Sequence, residues 1–103
     1  IQELGFEGGE MDTPDGPPPE EAVAAAKKTG ITIHGVVDSI HWNKRLSDPD
    51  PAVRAEGQSA LQGALRDTKA YGGTTCLLVP GACRDAVNEN YDQTWERSAE
   101  EIR

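Results

Sequence analysis

Gly30-Ile31-Thr32-Ile33-His34-Gly35-Val36-Val37-Asp38-Ser39-Ile40-His41-Trp42-Asn43-Lys44-Arg45-Leu46-Ser47-Asp48-Pro49-Asp50-Pro51 is the stretch on which the reading of this chain turns. Ile31 to Val37 is rich in β-branched residues and shows no 3.6-residue period, which predicts a strand rather than a helix. The strand carries His34 and leads into one long loop, Asp38 to Asp50, that holds the chain's other histidine, His41, three carboxylates and a tryptophan. Connections between a strand and a helix usually take about 2–6 residues, and longer ones in compact domains tend to carry function. Ile40, Trp42 and Leu46 offer the loop apolar anchors, so it is expected to be ordered and folded over the C-terminal ends of the strands.

On the N-terminal side, Glu20 to Thr29 has acids in its first turn, Lys27 and Lys28 in its last, and Gly30 just past the end. That charge order suits a helix dipole and predicts a helix, with Pro19 able to stand at its first position. Gly5 to Met11 is glycine-rich and a poor strand on its own. Met11 to Pro19 is a breaker-rich connection.

On the C-terminal side, Asp48-Pro49 and Asp50-Pro51 each pair a capping aspartate with a proline at the first helical position. From there Val53, Gly57, Ala60, Leu61, Ala64, Leu65, Thr68 and Tyr71 fall on one helical stripe, and Gly72-Gly73 ends it. Thr74 to Val79 is a strand without polar alternation, the pattern of a parallel sheet buried on both faces. After a polar connection, Tyr91, Trp95, Ala99 and Ile102 form a second amphipathic stripe, in which Trp95 is expected to serve the core. The order strand, helix, strand, helix, strand, helix predicts an α/β chain with a parallel sheet and right-handed crossovers.

The 103 residues suffice for one small core, and the formal net charge is -8. Such a field repels a phosphate backbone, so no nucleic-acid partner is expected. Mean hydropathy is -0.61, and no stretch approaches the ~18 consecutive apolar residues of a membrane span. No membrane partner is expected, and two cysteines without CxxC spacing fit a reducing, cytoplasmic setting. Ile1-Gln2-Glu3-Leu4-Gly5-Phe6 lacks both an initiator methionine and the basic and apolar regions of a signal peptide, so an N-terminal truncation is expected.

Four pieces carry a resemblance to a known superfamily. Gly5-Phe6-Glu7-Gly8-Gly9-Glu10-Met11 looks like a "GF-x-G-x-E" second strand, and Gly30-Ile31-Thr32-Ile33-His34 like the third. Ser47-Asp48-Pro49-Asp50-Pro51-Ala52-Val53-Arg54 resembles an "S-x-D-P-x-x-R" lead into the third helix, and Thr75-Cys76-Leu77-Leu78-Val79-Pro80-Gly81 a fourth strand with its terminal Pro-Gly. Together, in this order, they resemble the xylose-isomerase-like TIM barrels, the sugar-phosphate isomerases and epimerases with their endonuclease-type relatives. Gly9 departs from the pattern, where an apolar residue is usual.

The resemblance implies that residues 1–103 are a fragment of one (β/α)8 TIM barrel domain, strands two to four with helices two to four, since a complete barrel takes ~250 residues. It implies a metal-dependent isomerase or epimerase acting on a sugar or sugar phosphate by proton transfer. The divalent ion (Mn, Mg, Co or Zn) would take its ligands outside this segment, and a homo-oligomer is a possible assembly. The alternatives are a non-catalytic sugar-binding or assembly relic of the barrel and, against the net charge, an endonuclease-type metallohydrolase.

Barrel active sites lie at the C-terminal ends of the strands, which selects Glu10, His34, Asp38, His41, Trp42, Pro80 and Gly81. Strand alternation puts His34, Val36 and Asp38 inside the barrel and turns Ile33, Gly35 and Val37 towards the helices. Glu10, His34, Asp38, His41 and Trp42 are the expected substrate-binding residues; no catalytic residue and no metal ligand is assigned. The competing reading makes His34 a hydrogen-bonded structural histidine, Glu10 a member of an ion pair, and Trp42 a pin for the loop. Lys44 and Arg45 are expected to be solvated loop charges.

Overall fold

The computed structural model describes residues 2–103. Three strands, β1 (Gly8–Thr13), β2 (Thr32–Asp38) and β3 (Thr75–Leu77), alternate with three helices, α1 (Pro19–Thr29), α2 (Pro51–Tyr71) and α3 (Tyr91–Ile102). The sheet is parallel throughout, in the order β1-β2-β3. Each strand thus pairs with the next in sequence, as in a singly wound run of β/α units.

Helix ends form where local chemistry directs them. Pro19 opens α1, and Gly30 closes it at φ 75°, in the left-handed region glycine reaches without a Cβ penalty. Asp50, not Asp48, caps α2 by accepting the Ala52 N–H at 2.9 Å, with Pro51 at the first position. Asn90 and Gln93 satisfy each other's backbone N–H groups in a capping box that starts α3.

Ala22 of α1, Ala64 and Tyr71 of α2, and Ile33 and Val36 of β2 form the core, with Met11 and Cys76 packed against it. Register explains the composition of each sheet face. Met11, Val36 and Cys76 lie in one row across the three strands, turned towards α1 and α2. The rows on either side, Glu10–Gly35–Thr75 and Asp12–Val37–Leu77, turn to the opposite face, which carries no helix. The radius of gyration is 15.9 Å, against about 13 Å for a compact domain of this length. The molecule is accordingly elongated, 51 × 24 × 20 Å, with one sheet face bare.

Four expectations are corrected. First, β1 begins at Gly8 and runs to Thr13, so Phe6 lies outside the strand and is exposed. Glycines dominate the expected start, while Met11 and Thr13 supply the side chains that pack.

Second, alternation along β2 is interrupted. Gly9 pairs with Ile33 and Glu10 with Gly35, leaving His34 as an extra residue on β2. This bulge puts Ile33 and Val36 together on the covered side and His34 beside Gly35 on the bare side.

Third, β3 is a three-residue edge strand with Thr75 and Leu77 exposed, not a strand buried on both faces. Fourth, the Tyr91, Trp95 and Ile102 stripe of α3 faces outward, with Trp95 67% exposed. The helix is held instead by polar contacts: Ser98 donates to the Pro80 carbonyl at 3.2 Å and Arg54 to Glu101 at 2.9 Å. Leu65 likewise falls on the exposed side of α2, whose packed positions are Gly57, Ala64, Thr68 and Tyr71.

Candidate functional site

The five expected site residues separate into two groups. Glu10 and His34 stand on the bare sheet face, Glu10 Oε1 lying 3.9 Å from His34 Nδ1, with both side chains partly exposed. Each is the third residue of its strand, so neither lies at a C-terminal strand end as expected. Gly8 makes room for the imidazole: a Cβ there would come within 3.2 Å of His34 Cδ2. The His34 carbonyl accepts from the Thr74 N–H at 2.9 Å and the Thr75 hydroxyl at 3.1 Å, which fixes the bulge against β3.

Asp38, His41 and Trp42 form the second group, about 13 Å further along β2 by the rise of a strand. Asp38 ends β2 and caps a 3-10 turn, Ser39–Trp42, its Oδ1 accepting the Ile40 N–H at 3.2 Å. His41 sits in that turn, its Nδ1 accepting the Val79 N–H at 3.3 Å. Asp38 and His41 are 1% and 2% exposed, and Asp38 Oδ2 and His41 Nε2 are buried without a hydrogen-bond partner. Each such atom costs about 1–3 kcal/mol. Trp42 meets the His41 ring edge-on, centroids 4.3 Å apart at 73°, and is 56% exposed. It does not anchor the loop; Leu46, fully enclosed, does.

Burial shifts the titration of both groups in the second cluster. It pushes the Asp38 carboxyl up from its ordinary value, against the lowering effects of the Ile40 N–H and of His41. It pushes the His41 imidazole down, against the raising effect of the Asp38 charge. Both shifts favour the uncharged form of a group taken out of water.

The long loop is ordered by a polar clasp that sequence reading missed. Arg45 donates from Nε to Glu89 Oε1 at 2.9 Å and from Nη2 to Glu89 Oε2 at 3.0 Å and Asp48 Oδ2 at 2.9 Å. Ser47 donates to Glu89 Oε1 at 2.6 Å, and its own oxygen accepts the Ala82 N–H at 3.3 Å. Arg45 is therefore a largely enclosed structural cation, its side chain 12% exposed, not a solvated loop charge. Lys44 pairs with Glu56 at 2.7 Å on the surface of α2. At the other end of the loop, Ser39 donates to Asp12 at 3.0 Å, tying the turn to β1. Pro80 and Gly81 serve this packing as well: Pro80 accepts from Ser98, and Gly81 lies against Ser47.

Among the described residues, no three His, Cys, Asp or Glu side chains gather as a metal site, so the residues present do not fit a resident divalent ion. A cavity of about 490 Å³ beside α1, lined by Met11, Ala22, Ala26, Ile31 and Ile33 among others, lies away from both groups, and a larger, open one of about 610 Å³ lies between the loop at Ile40, Asn43 and Lys44 and the α2 residues Ala55, Glu56 and Ser59. Among the described residues no helix is long and apolar enough to cross a membrane. No family model matches the chain, and no curated protein matches it.

Proposed function

We propose that the chain forms the substrate-facing layer of a sugar or sugar-phosphate isomerase or epimerase, with the sugar held against the bare face of the sheet. The observation that carries this reading is the Glu10–His34 pair, a carboxylate and an imidazole on neighbouring strands of a face that no helix covers. A carboxylate accepts hydrogen bonds from two hydroxyls, and an imidazole donates at one nitrogen and accepts at the other. Together they match the alternating donors and acceptors of a polyol. Trp42, exposed beside the strand ends, adds an aromatic surface for the apolar face of a sugar ring.

Glu10 and His34 bind and orient the sugar, while the proton transfer between neighbouring carbons belongs to residues outside 1–103. The chain alone is expected to bind without turnover, and aldose–ketose interconversion by residues 1–103 would overturn this division of labour. In a protein that contains the chain and turns over sugar, His34→Ala and Glu10→Gln are each expected to lower kcat/KM about tenfold, roughly one strong hydrogen bond. Both side chains are partly exposed, so the melting temperature should stay nearly constant. The opposite pattern, a lowered melting temperature with kcat/KM intact, would make the pair structural and end this reading.

A further inference from the structure

Helix α3 is attached to the rest of the molecule along one side. Thr94 donates to the Ala82 carbonyl at 3.3 Å, Ser98 to the Pro80 carbonyl at 3.2 Å, and Glu101 accepts from Arg54 at 2.9 Å. Beside this attached side runs an apolar stripe that lies open: Tyr91, Trp95 and Ile102 are 71%, 67% and 52% exposed. From Tyr91 to Ile102 the stripe spans about 16 Å at the rise of an α-helix. A cavity of about 350 Å³ opens at its N-terminal end, with Tyr91 in the wall beside Cys83, Ala86 and Asp85. Exposed tryptophan and tyrosine at the centre of an apolar patch are the residues that dominate binding energy where proteins meet.

The other edge of the stripe is acidic. Asp92, Glu96 and Glu100 each follow a stripe position, Tyr91, Trp95 and Ala99, so they line up at four-residue spacing, all exposed. Arg97 does not neutralise them, because its guanidinium is committed to the Ser47 and Asn88 carbonyls at 3.2 and 2.7 Å. Arg103, at the end of the helix, is the cation on this edge.

Charge selects the occupant. Two copies paired through antiparallel α3 helices set each edge against itself, here three carboxylates against three. Parallel α3 helices set each edge against the opposite one, which is already packed on α2 and the Pro80 segment. Nucleic acid and acidic lipid meet the same carboxylates and a net charge of -8. A helix with an apolar face and lysine or arginine along one edge matches both features: its apolar side chains cover Trp95 while its cations reach Asp92, Glu96 and Glu100. A cation seated over the Trp95 ring adds a cation–π contact.

We propose that the exposed face of α3 is a docking surface for a basic amphipathic helix of a partner protein, with Trp95 at its centre. Glu10 and His34 stand on the sheet, so the surface is independent of the sugar-binding reading.

The probe is a synthetic helix of about five turns with leucine on one face and lysine along one edge; the same peptide with glutamate for lysine is the control. Added to the full chain and followed by amide NMR, the lysine peptide is expected to shift the resonances of α3 saturably, and the indole N–H of Trp95 rather than that of Trp42. Trp95→Ala, a change at an exposed position, should weaken binding about tenfold or more, with the melting transition followed in parallel. Glu96→Gln with Glu100→Gln should weaken it about fivefold and reduce its sensitivity to salt. Glu20→Gln with Glu21→Gln removes the same charge from exposed positions of α1 and should leave affinity within about twofold. Should Trp95→Ala fail to fold, the comparison of the two glutamine pairs carries the test.

Equal weakening by the α1 and α3 pairs would reduce the binding to general attraction towards an acidic chain and overturn the proposal. Equal binding of the glutamate peptide, or no saturable shift on α3, would also overturn it. A concentration-dependent dimer abolished by Trp95→Ala would make a second copy the occupant and overturn it as well.

Discussion

Glu89→Ala is expected to destabilise the chain by about 3–5 kcal/mol, the cost of leaving one member of a buried ion pair without its partner. Arg45 and Glu89 have side chains only 12% and 5% exposed, so solvent does little to screen the loss. Deleting the carboxylate strands the guanidinium, which keeps only Asp48, and removes the acceptor of Ser47. Against the 5–15 kcal/mol total stability of an ordinary domain this is a large fraction, equivalent to a fall of about 15–30 °C in melting temperature. Arg45→Met with Glu89→Leu should cost less than either truncation to alanine, because no charge is left buried and unpaired. A cost below about 1 kcal/mol for Glu89→Ala would mean that the clasp behaves as a solvated surface pair.

The same clasp sets part of the pH dependence. Burial alone would raise the Glu89 pKa, but hydrogen bonds from Arg45 and Ser47 and the neighbouring positive charges outweigh it and hold the group below its ordinary 4.5. The folded state therefore binds fewer protons than the unfolded state in this range. The stabilisation is fully present above about pH 4.5 and is lost as pH falls through the lower folded-state value. His41, pushed down from 6.5, has the same sign at higher pH: stability declines as pH falls below 6.5 towards its folded value. Asp38, pushed up from 3.8, opposes Glu89. Glu89→Gln should flatten the step below pH 4.5 and leave the His41 step, as urea titrations at stepped pH can show.

Much of the chain's architecture was legible because it rests on local chemistry. Gly30 and Gly72 end helices in the left-handed region, Asp50-Pro51 starts one, and the β-branched run before Asp38 forms the central strand. Spacing failed where burial depends on what lies across from an element. Tyr91, Trp95 and Ile102 have the period of a packed stripe, yet α3 attaches through Arg97, Ser98 and Glu101. The bulge at His34 was equally hidden, since its cause is a register between strands more than twenty residues apart. Among site residues, Glu10 and His34 were each legible as candidates, but neither their pairing beside the bulge nor their distance from Asp38 and His41 was, since both depend on the register between strands. Glu89 gave no signal at all: it sits in a polar connection, 44 positions from Arg45.

Gly57→Ala should destabilise the chain by about 1–3 kcal/mol, the usual cost of overpacking a filled site, although alanine is the better helix former by about 1 kcal/mol. A Cβ at Gly57 would run into the Lys44 carbonyl oxygen and approach Leu46 Cδ2 at 3.2 Å. The backbone of the long loop lies directly on α2 at this point, so the carbonyl cannot rotate away as a side chain could. Gly63, further along the same helix, meets only the tip of Arg66 at 3.9 Å. Gly63→Ala should accordingly stabilise the chain by about 0.5–1 kcal/mol, with propensity unopposed. The opposite signs at two glycines of one helix separate close approach from conformational freedom. Because Lys44 and Leu46 flank Arg45, a loop displaced by the Gly57→Ala methyl group also loosens the Arg45–Glu89 clasp. The costs of Gly57→Ala and Glu89→Ala should therefore fall short of additivity by more than about 0.5 kcal/mol. Full additivity would show that the helix contact and the clasp hold the loop independently.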